Sequence, residues 1–292
     1  MTVTKAADFK KAGLDVIVRL HDIRRVPEFS RSLFSLVCSN YRPLHVQICV
    51  QRFSQRDLAK LHGVIQPLKA FGCDISLHNF VRKSPKDARS ELLNVGIKHS
   101  KGRYLAFLDY DDIIFPDAYG TLIEELKKSG AGIAFGGIEV SRVAMGENFS
   151  VVTSKVHPFE GKNIRDLLMT NFCPIHSYVL DRKFLAPIKF KAHLTCLEDY
   201  YFLLQFCAKS RSSFAQIKKK VGCYNLKNDG SNTVIHTSEA DDEKLTGWAH
   251  GRKAVAALKA RTLLSRDVQK QAGLKRFDPK LTIGKYLDAG SS

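Results

Sequence analysis

The segment at residues 102–112, GRYLAFLDYDD, constrains the fold and chemistry of this chain more than any other. Its apolar part, residues 104–108, predicts a buried strand that ends abruptly in Asp109, Asp111 and Asp112. Neighbouring carboxylates repel one another and are costly to desolvate unless a cation compensates them. Oxygen ligands at a strand end suit Mg²⁺ or Mn²⁺, with the remaining ligands supplied by substrate phosphates. Because open parallel sheets bind ligands at the carboxyl ends of their strands, the segment predicts a site for a metal and a nucleotide.

Apolar strand-like segments alternate with amphipathic helix-like segments around this site. We predict strands at residues 14–20, 46–50, 75–80, 104–108, 131–137 and 177–180, helices at 27–37, 56–70, 86–99, 116–128, 163–169 and 197–208, a hairpin at 139–157 and a loop at 222–233. Such alternation is typical of parallel βαβ units with right-handed crossovers, so the predicted fold class is α/β. The three aspartates could also form a solvated turn that caps the helix beginning near Pro116, but a cap needs one aspartate.

The formal net charge of +17 points to a polyanionic neighbour, which could be nucleic acid, an acidic membrane surface or a phosphorylated substrate. No zinc-finger, RNP or helix-turn-helix pattern accompanies the basic residues, so nucleic acid is the least favoured of the three. The sequence contains no apolar run long enough to span a membrane and no signal-peptide core at its start, which predicts a cytoplasmic protein. The seven cysteines form no CxxC pair and are predicted to be buried small hydrophobic residues.

Four short motifs follow one another in a distinctive order. Asn-Val-Gly-Ile at 94–97 precedes Gly-Arg-Tyr-Leu at 102–105 and the acidic motif at 109–112, and Glu-Asp at 198–199 opens an aromatic-rich helix further along. This order resembles family 2 glycosyltransferases of the GT-A fold. The resemblance covers approximately residues 14–235 and implies a Rossmann-like mixed sheet flanked by helices. It divides the chain into a GT-A domain at 1–235 and a basic helical extension at 236–292.

The resemblance also implies a reaction. A sugar moves from a nucleotide donor of the UDP, dTDP or GDP type to a hydroxyl of a bacterial surface glycan or lipid-linked acceptor, with inversion. Mn²⁺ or Mg²⁺ stabilises the departing diphosphate, with Asp111 as the main ligand, Asp109 near the ribose or the metal, and Asp112 assisting. Asp199, beside Glu198, is then the general base. Without the other motifs, these two acidic residues would be interpreted as partners of a helix dipole.

The nucleotide-binding half departs from the family pattern. Where relatives have Pro-Thr-Tyr-Asn after the first strand, this chain has Arg19 and His21, which are predicted to contact the base or phosphate or to lie at the surface. Gln51 stands where relatives have an acidic residue that reads uracil, and its amide can both donate and accept hydrogen bonds. Asp87 and Arg89 are predicted to take over contacts to the phosphate or the base.

Three further features carry predictions with a structural alternative. His176 is predicted either to orient an acceptor hydroxyl or to be a buried structural histidine. Residues 225–233 resemble the flexible loop of the family, in which Lys227 would contact the diphosphate; the alternative is an ordinary loop. His236 is a weak candidate for a metal ligand.

The basic segment at residues 241–271 predicts an amphipathic helix or helix pair. Packing on the catalytic domain is the favoured interpretation. The alternatives are peripheral contact with anionic lipid at the inner face of the membrane, where lipid-linked acceptors lie, and a dimer contact.

Two other function classes compete with sugar transfer. A nucleotidyltransferase also uses an α/β sheet with metal-binding aspartates, but it usually has a glycine-rich loop after the first strand, and residues 19–27 contain no glycine. A non-catalytic basic binding module with a decayed nucleotide site is the other alternative. The presence of both acidic motifs argues against decay.

Overall fold

The computed structural model describes residues 6–144, 150–156, 162–229 and 242–289, and their strands form one nine-stranded mixed sheet. The strands are β1 (Leu14–Leu20), β2 (Leu44–Gln51), β3 (Asp74–Phe80), β4 (Tyr104–Asp109), β5 (Ile113–Ile114), β6 (Ile133–Ala144), β7 (Ser150–Val156), β8 (Tyr178–Asp181) and β9 (Ser212–Lys227). The α-helices are α1 (Ala6–Ala12), α2 (Val26–Val37), α3 (Gln55–Lys69), α4 (Arg89–His99), α5 (Ala118–Ser129), α6 (Ile164–Met169), α7 (Glu198–Lys209), α8 (Asp242–Arg261), α9 (Arg266–Gln271) and α10 (Ile283–Asp288).

The sheet order is β3-β2-β1-β4-β8-β6-β9-β5, and β7 pairs with β6. Strands β1 to β4 are mutually parallel, whereas β8 runs antiparallel to both β4 and β6. The predicted α/β sheet with flanking helices is therefore confirmed. In the register of β1 with β4, Arg19 lies opposite Asp109, so the two side chains leave the sheet at the same edge.

The centre of the sheet is apolar because helices cover both faces. Strands β1 and β4 are buried along nearly their whole length. Helix α4 packs closely on β1, and a Cβ atom on Gly96 would lie 2.5 Å from Cγ2 of Ile17. The buried Asp15 carboxylate accepts the backbone N–H groups of Lys101 and Gly102, at 2.7 and 2.6 Å, and so fixes the entry into β4.

The predicted loop at residues 222–233 is wrong at its start, because residues 222–227 form the end of β9. This strand pairs in parallel with β6, whose backbone supplies the hydrogen bonds. Gly222 indicated a turn in the sequence, but here it allows β5 to approach, since a Cβ atom would lie 2.5 Å from the Ile113 carbonyl oxygen. Residues 230–233 and His236 lie outside the described part of the chain.

The C-terminal helices pack on the rest of the protein. Helix α8 lies against α7 and buries Ala254, Val255 and Leu258, as the packing interpretation requires. The division predicted after residue 235 falls at residues the structure does not describe, so it stays a prediction. Within the described ranges, no helix is long and apolar enough to cross a membrane. Six of the seven cysteines are buried, and Cys38 is exposed.

Candidate active site

Arg19 connects the two acidic motifs. Its Nε donates to Oδ1 of Asp109 at 2.7 Å, and Nη1 donates to Oε1 of Glu198 at 2.9 Å. Burial alone would lower the pKa of Arg19, but the two carboxylates outweigh burial and raise this pKa well above its ordinary value. Burial would likewise raise the pKa of Asp109, but Arg19 holds this pKa below its ordinary value. One guanidinium therefore joins the end of β4 to the start of α7.

Asp111 forms an ion pair with Lys227 from the end of β9. The Lys227 Nζ lies 2.6 Å from Oδ2 of Asp111, and the lysine side chain is 1% exposed. Burial and the neighbouring Asp112 carboxylate raise the pKa of Asp111 to about 7, even though Lys227 acts in the opposite direction. Lys227 thus does not fully compensate the negative charges at Asp111 and Asp112.

Asp112 is buried and faces inward. Its Oδ1 accepts the backbone N–H of Asn225 at 2.9 Å, and its Oδ2 lies 3.2 Å from Nδ1 of His176. Nε2 of His176 is buried and has no hydrogen-bond partner among the described residues. Burial raises the pKa of Asp112, whereas His176 lowers it. Asp112 therefore anchors β9 through one carboxylate oxygen and lies against His176 with the other.

The acidic pair at the start of α7 is divided between two environments. Leu197 has a left-handed backbone with φ of 59°, which turns the chain sharply into the helix. Glu198 is buried against Arg19. Asp199 accepts the backbone N–H of Tyr200 at 2.6 Å on Oδ1 and the amide of Asn171 at 3.3 Å on Oδ2. Burial and the adjacent Glu198 raise the pKa of Asp199 to about 7.

Gln51 is held by the backbone that follows β3. Its Nε2 donates to the Lys86 carbonyl at 2.6 Å, and its Oε1 accepts the Ala88 N–H at 3.0 Å. The next residue, Arg52, has φ of 55° and donates to the carbonyls of residues 82, 83, 85 and 86. The side chains of residues 51 and 52 thus hold the backbone of the segment 82–88 in place. The sequence indicated a role for Gln51 but no role for Arg52.

The other predicted donor-side residues lie at the end of that segment. Arg89 pairs with Asp87 at 2.8 Å. His21 stacks edge-on against Tyr110 with ring centroids 5.7 Å apart. Burial lowers the pKa of His21, and the positive charges of Arg89 and Arg19 lower it further. His21 is therefore a neutral imidazole at neutral pH.

A cavity of about 900 Å³ opens beside these groups. Its lining includes seven of the predicted site residues: Arg19, Arg89, Asp109, Asp112, His176, Glu198 and Asp199. His21, Gln51, Asp87, Asp111 and Lys227 do not line it, and His236 lies outside the described residues. The lining also includes residues 169–175 and part of α8, with Trp248, Arg252 and Lys259, which were not among the predicted site residues. The α8 residues recur every three or four positions, and this spacing was the signal in the sequence that could have placed them on one face of a helix.

The aspartates that follow β4 can hold a divalent cation only if a substrate supplies further ligands. The described part of the chain contains no group of three or more His, Cys, Asp or Glu side chains able to hold a metal ion. Lys227 contacts Oδ2 of Asp111. Mg²⁺ and Mn²⁺ need only one or two carboxylates when phosphates complete the shell. A carboxylate whose positive partner does not fully compensate it, as the raised pKa of Asp111 indicates, fits that requirement.

Sequence comparison places the chain among known proteins. Residues 68–185 match the family described as Glycosyl transferase family 2. A Haemophilus influenzae protein described as an uncharacterized glycosyltransferase is 25% identical over 194 residues, which are 66% of this chain and 61% of that protein. Over this part of its length the chain is similar to family 2 glycosyltransferases. It spans less than two thirds of this relative's length.

Solved structures confirm the GT-A fold of this chain. Staphylococcus aureus TarS 1–349 in complex with UDP is 12% identical, with a TM-score of 0.60 over 88% of this chain and 68% of TarS 1–349. The mannosyltransferase PcManGT from Pyrobaculum calidifontis, in complex with GDP-Man and Mn²⁺, is 12% identical, with a TM-score of 0.54 over 95% and 79% of the two chains. At this identity, the likeness concerns the fold.

One motif of the glycosyltransferase resemblance has a structural role here. The Asn94 amide accepts the backbone N–H of Phe190 at 2.9 Å and donates to the Phe190 carbonyl at 3.0 Å. It thereby ties α4 to the segment that leads into α7. Asn94 therefore affects the site indirectly, because it fixes the position of the segment that leads into α7.

Proposed function

We propose that this glycosyltransferase moves a sugar from a nucleotide-sugar donor to a hydroxyl of a glycan or lipid-linked acceptor, with inversion at the anomeric carbon. The observation that carries the proposal is Asp199, whose carboxylate lines the same cavity as Asp109 and has a pKa raised to about 7. The crystallised complexes of TarS with UDP-GlcNAc and of PcManGT with GDP-Man support a nucleotide-sugar donor.

In the proposed step, Asp199 takes the proton of the acceptor hydroxyl. The hydroxyl oxygen forms a bond to the anomeric carbon, the bond from that carbon to the phosphate oxygen breaks, and the nucleoside diphosphate leaves. General-base catalysis is most efficient when the pKa of the base lies near the working pH. Tyr200 and Asn171 hold the carboxylate in one orientation. His176, with its unpartnered Nε2, is proposed to contact the acceptor.

A divalent cation, Mn²⁺ or Mg²⁺, is proposed at the Asp111 carboxylate, where it would offset the charge of the leaving diphosphate. Asp109 would lie beside it, and Asp112 would support the site through β9. Lys227, which pairs with Asp111 at the end of β9, would add a second positive charge near the diphosphate. The Mn²⁺ complex of PcManGT supports this proposal.

The donor's nucleoside is proposed to lie at the edge formed by β1 and by the segment 82–88. His21 and the Asp87–Arg89 pair offer polar groups there, and Gln51 acts by holding the backbone. Acceptors of the surface-polysaccharide type, and contact of the basic C-terminal helices with anionic lipid, stay predictions.

The test combines a binding screen with one catalytic variant. Nucleoside diphosphates and nucleotide sugars are screened by thermal shift with and without Mn²⁺. A ligand at a hundred times its Kd adds about 2.7 kcal/mol of apparent stability. Asp199→Asn is expected to retain the donor's shift and to lose transfer by about 10²–10⁴-fold. Asp117→Asn, an exposed aspartate paired with Lys219, is the matched control and should change neither. Full transfer activity in Asp199→Asn would refute the assignment of the base.

A further inference from the structure

One face of α8 forms a wall of the active-site cavity. Trp248, Arg252, Val255, Ala256 and Lys259 all line it, at intervals of three and four residues. This spacing places side chains on one side of an α-helix. The face carries one aromatic ring, two small apolar side chains and two cations. We call these five residues the α8 stripe.

Two glycines hold the α8 stripe close to the catalytic pair. A Cβ atom on Gly251 would lie 2.6 Å from the Cys196 carbonyl oxygen, and one on Gly247 would lie 2.9 Å from Oγ1 of Thr195. Because Cys196 precedes Glu198 by two residues, α8 packs on the segment that enters α7. The α8 stripe and the proposed base thus stand on helices joined by close packing.

The charged side chains that line the cavity differ in how they are compensated. The carboxylates of Asp109 and Glu198 are compensated by Arg19. On α8, no carboxylate of the described residues contacts Arg252 or Lys259. Lys259 Nζ donates to the Met169 carbonyl at 2.8 Å and lies 5.2 Å from the centre of the Tyr200 ring.

Burial makes the positive charge of Lys259 on α8 costly. Lys259 is partly buried, and desolvation lowers its pKa below the ordinary value. An anion bound beside it would compensate the buried charge, since hydrogen bonds between charged groups are about twice as strong as neutral ones. A neutral ligand would leave this cost unchanged.

We propose that the α8 stripe is a subsite for an acidic acceptor sugar, in which Arg252 and Lys259 bind a phosphate or carboxylate and Trp248 packs against the sugar ring. The acceptor then spans the cavity, with its reacting hydroxyl at Asp199 and its anionic group at α8. This inference rests on the proposed function, because Asp199 defines the end at which the hydroxyl lies. It specifies a class of acceptor: sugars that carry a negative charge.

Trp248 is the only tryptophan in the sequence, so its fluorescence reports on this subsite directly. The full chain is titrated with glucose 6-phosphate, glucuronate and glucose. The two acidic sugars are expected to change the fluorescence saturably, and glucose is expected to bind at least tenfold more weakly. The tighter of the two acidic sugars shows whether phosphate or carboxylate is the preferred group.

The variant Arg252→Gln/Lys259→Met should weaken binding of the acidic sugar at least tenfold. Lys253→Gln, which removes one charge from an exposed α8 residue that does not line the cavity, is the matched control and should bind like the wild type. Equal affinity for glucose, or wild-type affinity in the double variant, would overturn the inference. The same fluorescence change with UDP alone would assign the α8 stripe to the donor and overturn it as well.

The two proposals fail in different measurements. Failure of the subsite leaves intact both the donor's thermal shift and the loss of transfer in Asp199→Asn. Failure of the proposed function removes the donor's shift or leaves transfer in Asp199→Asn unchanged, whatever Trp248 reports.

Discussion

Replacing Arg19 with methionine should destabilise the protein strongly, because one guanidinium compensates two carboxylates. The exposed fractions of the side chains are 13% for Arg19, 25% for Asp109 and 6% for Glu198, so solvent screens these charges weakly. Methionine retains much of the side chain's bulk and removes the charge. Breaking a buried ion pair costs about 3–5 kcal/mol, since the partner remains buried without compensation. We expect a loss of that size in the free energy of unfolding at pH 8.

The loss of stability in Arg19→Met should become smaller as the pH falls. In the wild type, Arg19 holds the pKa of Asp109 below its ordinary value, so its stabilisation is present above the unfolded-state pKa and disappears as the pH falls through the folded-state pKa. In Arg19→Met, burial raises the pKa of Asp109, so the variant regains stability when the carboxyl is protonated. The difference between the two proteins should therefore shrink from pH 8 to pH 5.

Urea denaturation, followed by circular dichroism at both pH values, measures this difference. Arg24→Met is the matched control, because Arg24 forms an ion pair of 2.8 Å with Asp22 but its side chain is 85% exposed. No measurable loss is expected there, since exposed ion pairs contribute little. A loss below about 1 kcal/mol in Arg19→Met at pH 8, or an equal loss at pH 5, would refute the reasoning.

Three other predictions follow from the same structure. The rate of transfer should rise with pH through about 7 as Asp199 ionises, and a kcat/KM profile that is flat from pH 5 to 8 would contradict the assignment of the base. Asp111→Asn should lose the Mn²⁺-dependent part of the donor's thermal shift; an unchanged metal dependence would rule out this ligand. Gly96→Ala should cost about 1–3 kcal/mol in urea, because the new Cβ would lie 2.5 Å from Ile17, whereas Gly63→Ala meets open space and should gain up to about 1 kcal/mol. Equal effects at the two glycines would show that close packing on β1 is not the cause.

The central strands could be predicted because each is an uninterrupted apolar run that helices cover on both faces. Strand β1 has the predicted bounds, Leu14–Leu20. Strand β9 could not be predicted in this way, because the three lysines at residues 218–220 are exposed and interrupt any apolar pattern. What makes it a strand is pairing with β6, which lies far away in sequence.

In the candidate site, too, some residues could be predicted from the sequence and others could not. The carboxylates at residues 109–112 and 198–199 could be found because acidic residues beside apolar segments are conspicuous in a sequence. Their partners could not, since Arg19 and Lys227 meet them only through the sheet order and the length of β9. The role of Arg52 depends on its backbone angle and on carbonyl groups, which leave no pattern in the sequence.

By itself, the sequence determined the local properties of this chain: which segments are apolar, where the acidic residues stand and which family order they follow. These depend on neighbours within a few positions. The tertiary structure decided which charges compensate one another and which side chains share a cavity, because Arg19 and Glu198, or Asp199 and Trp248, meet only after the sheet and α8 have packed. Burial then sets the strength of those contacts, and with it the pKa of Asp199 on which the proposed chemistry depends.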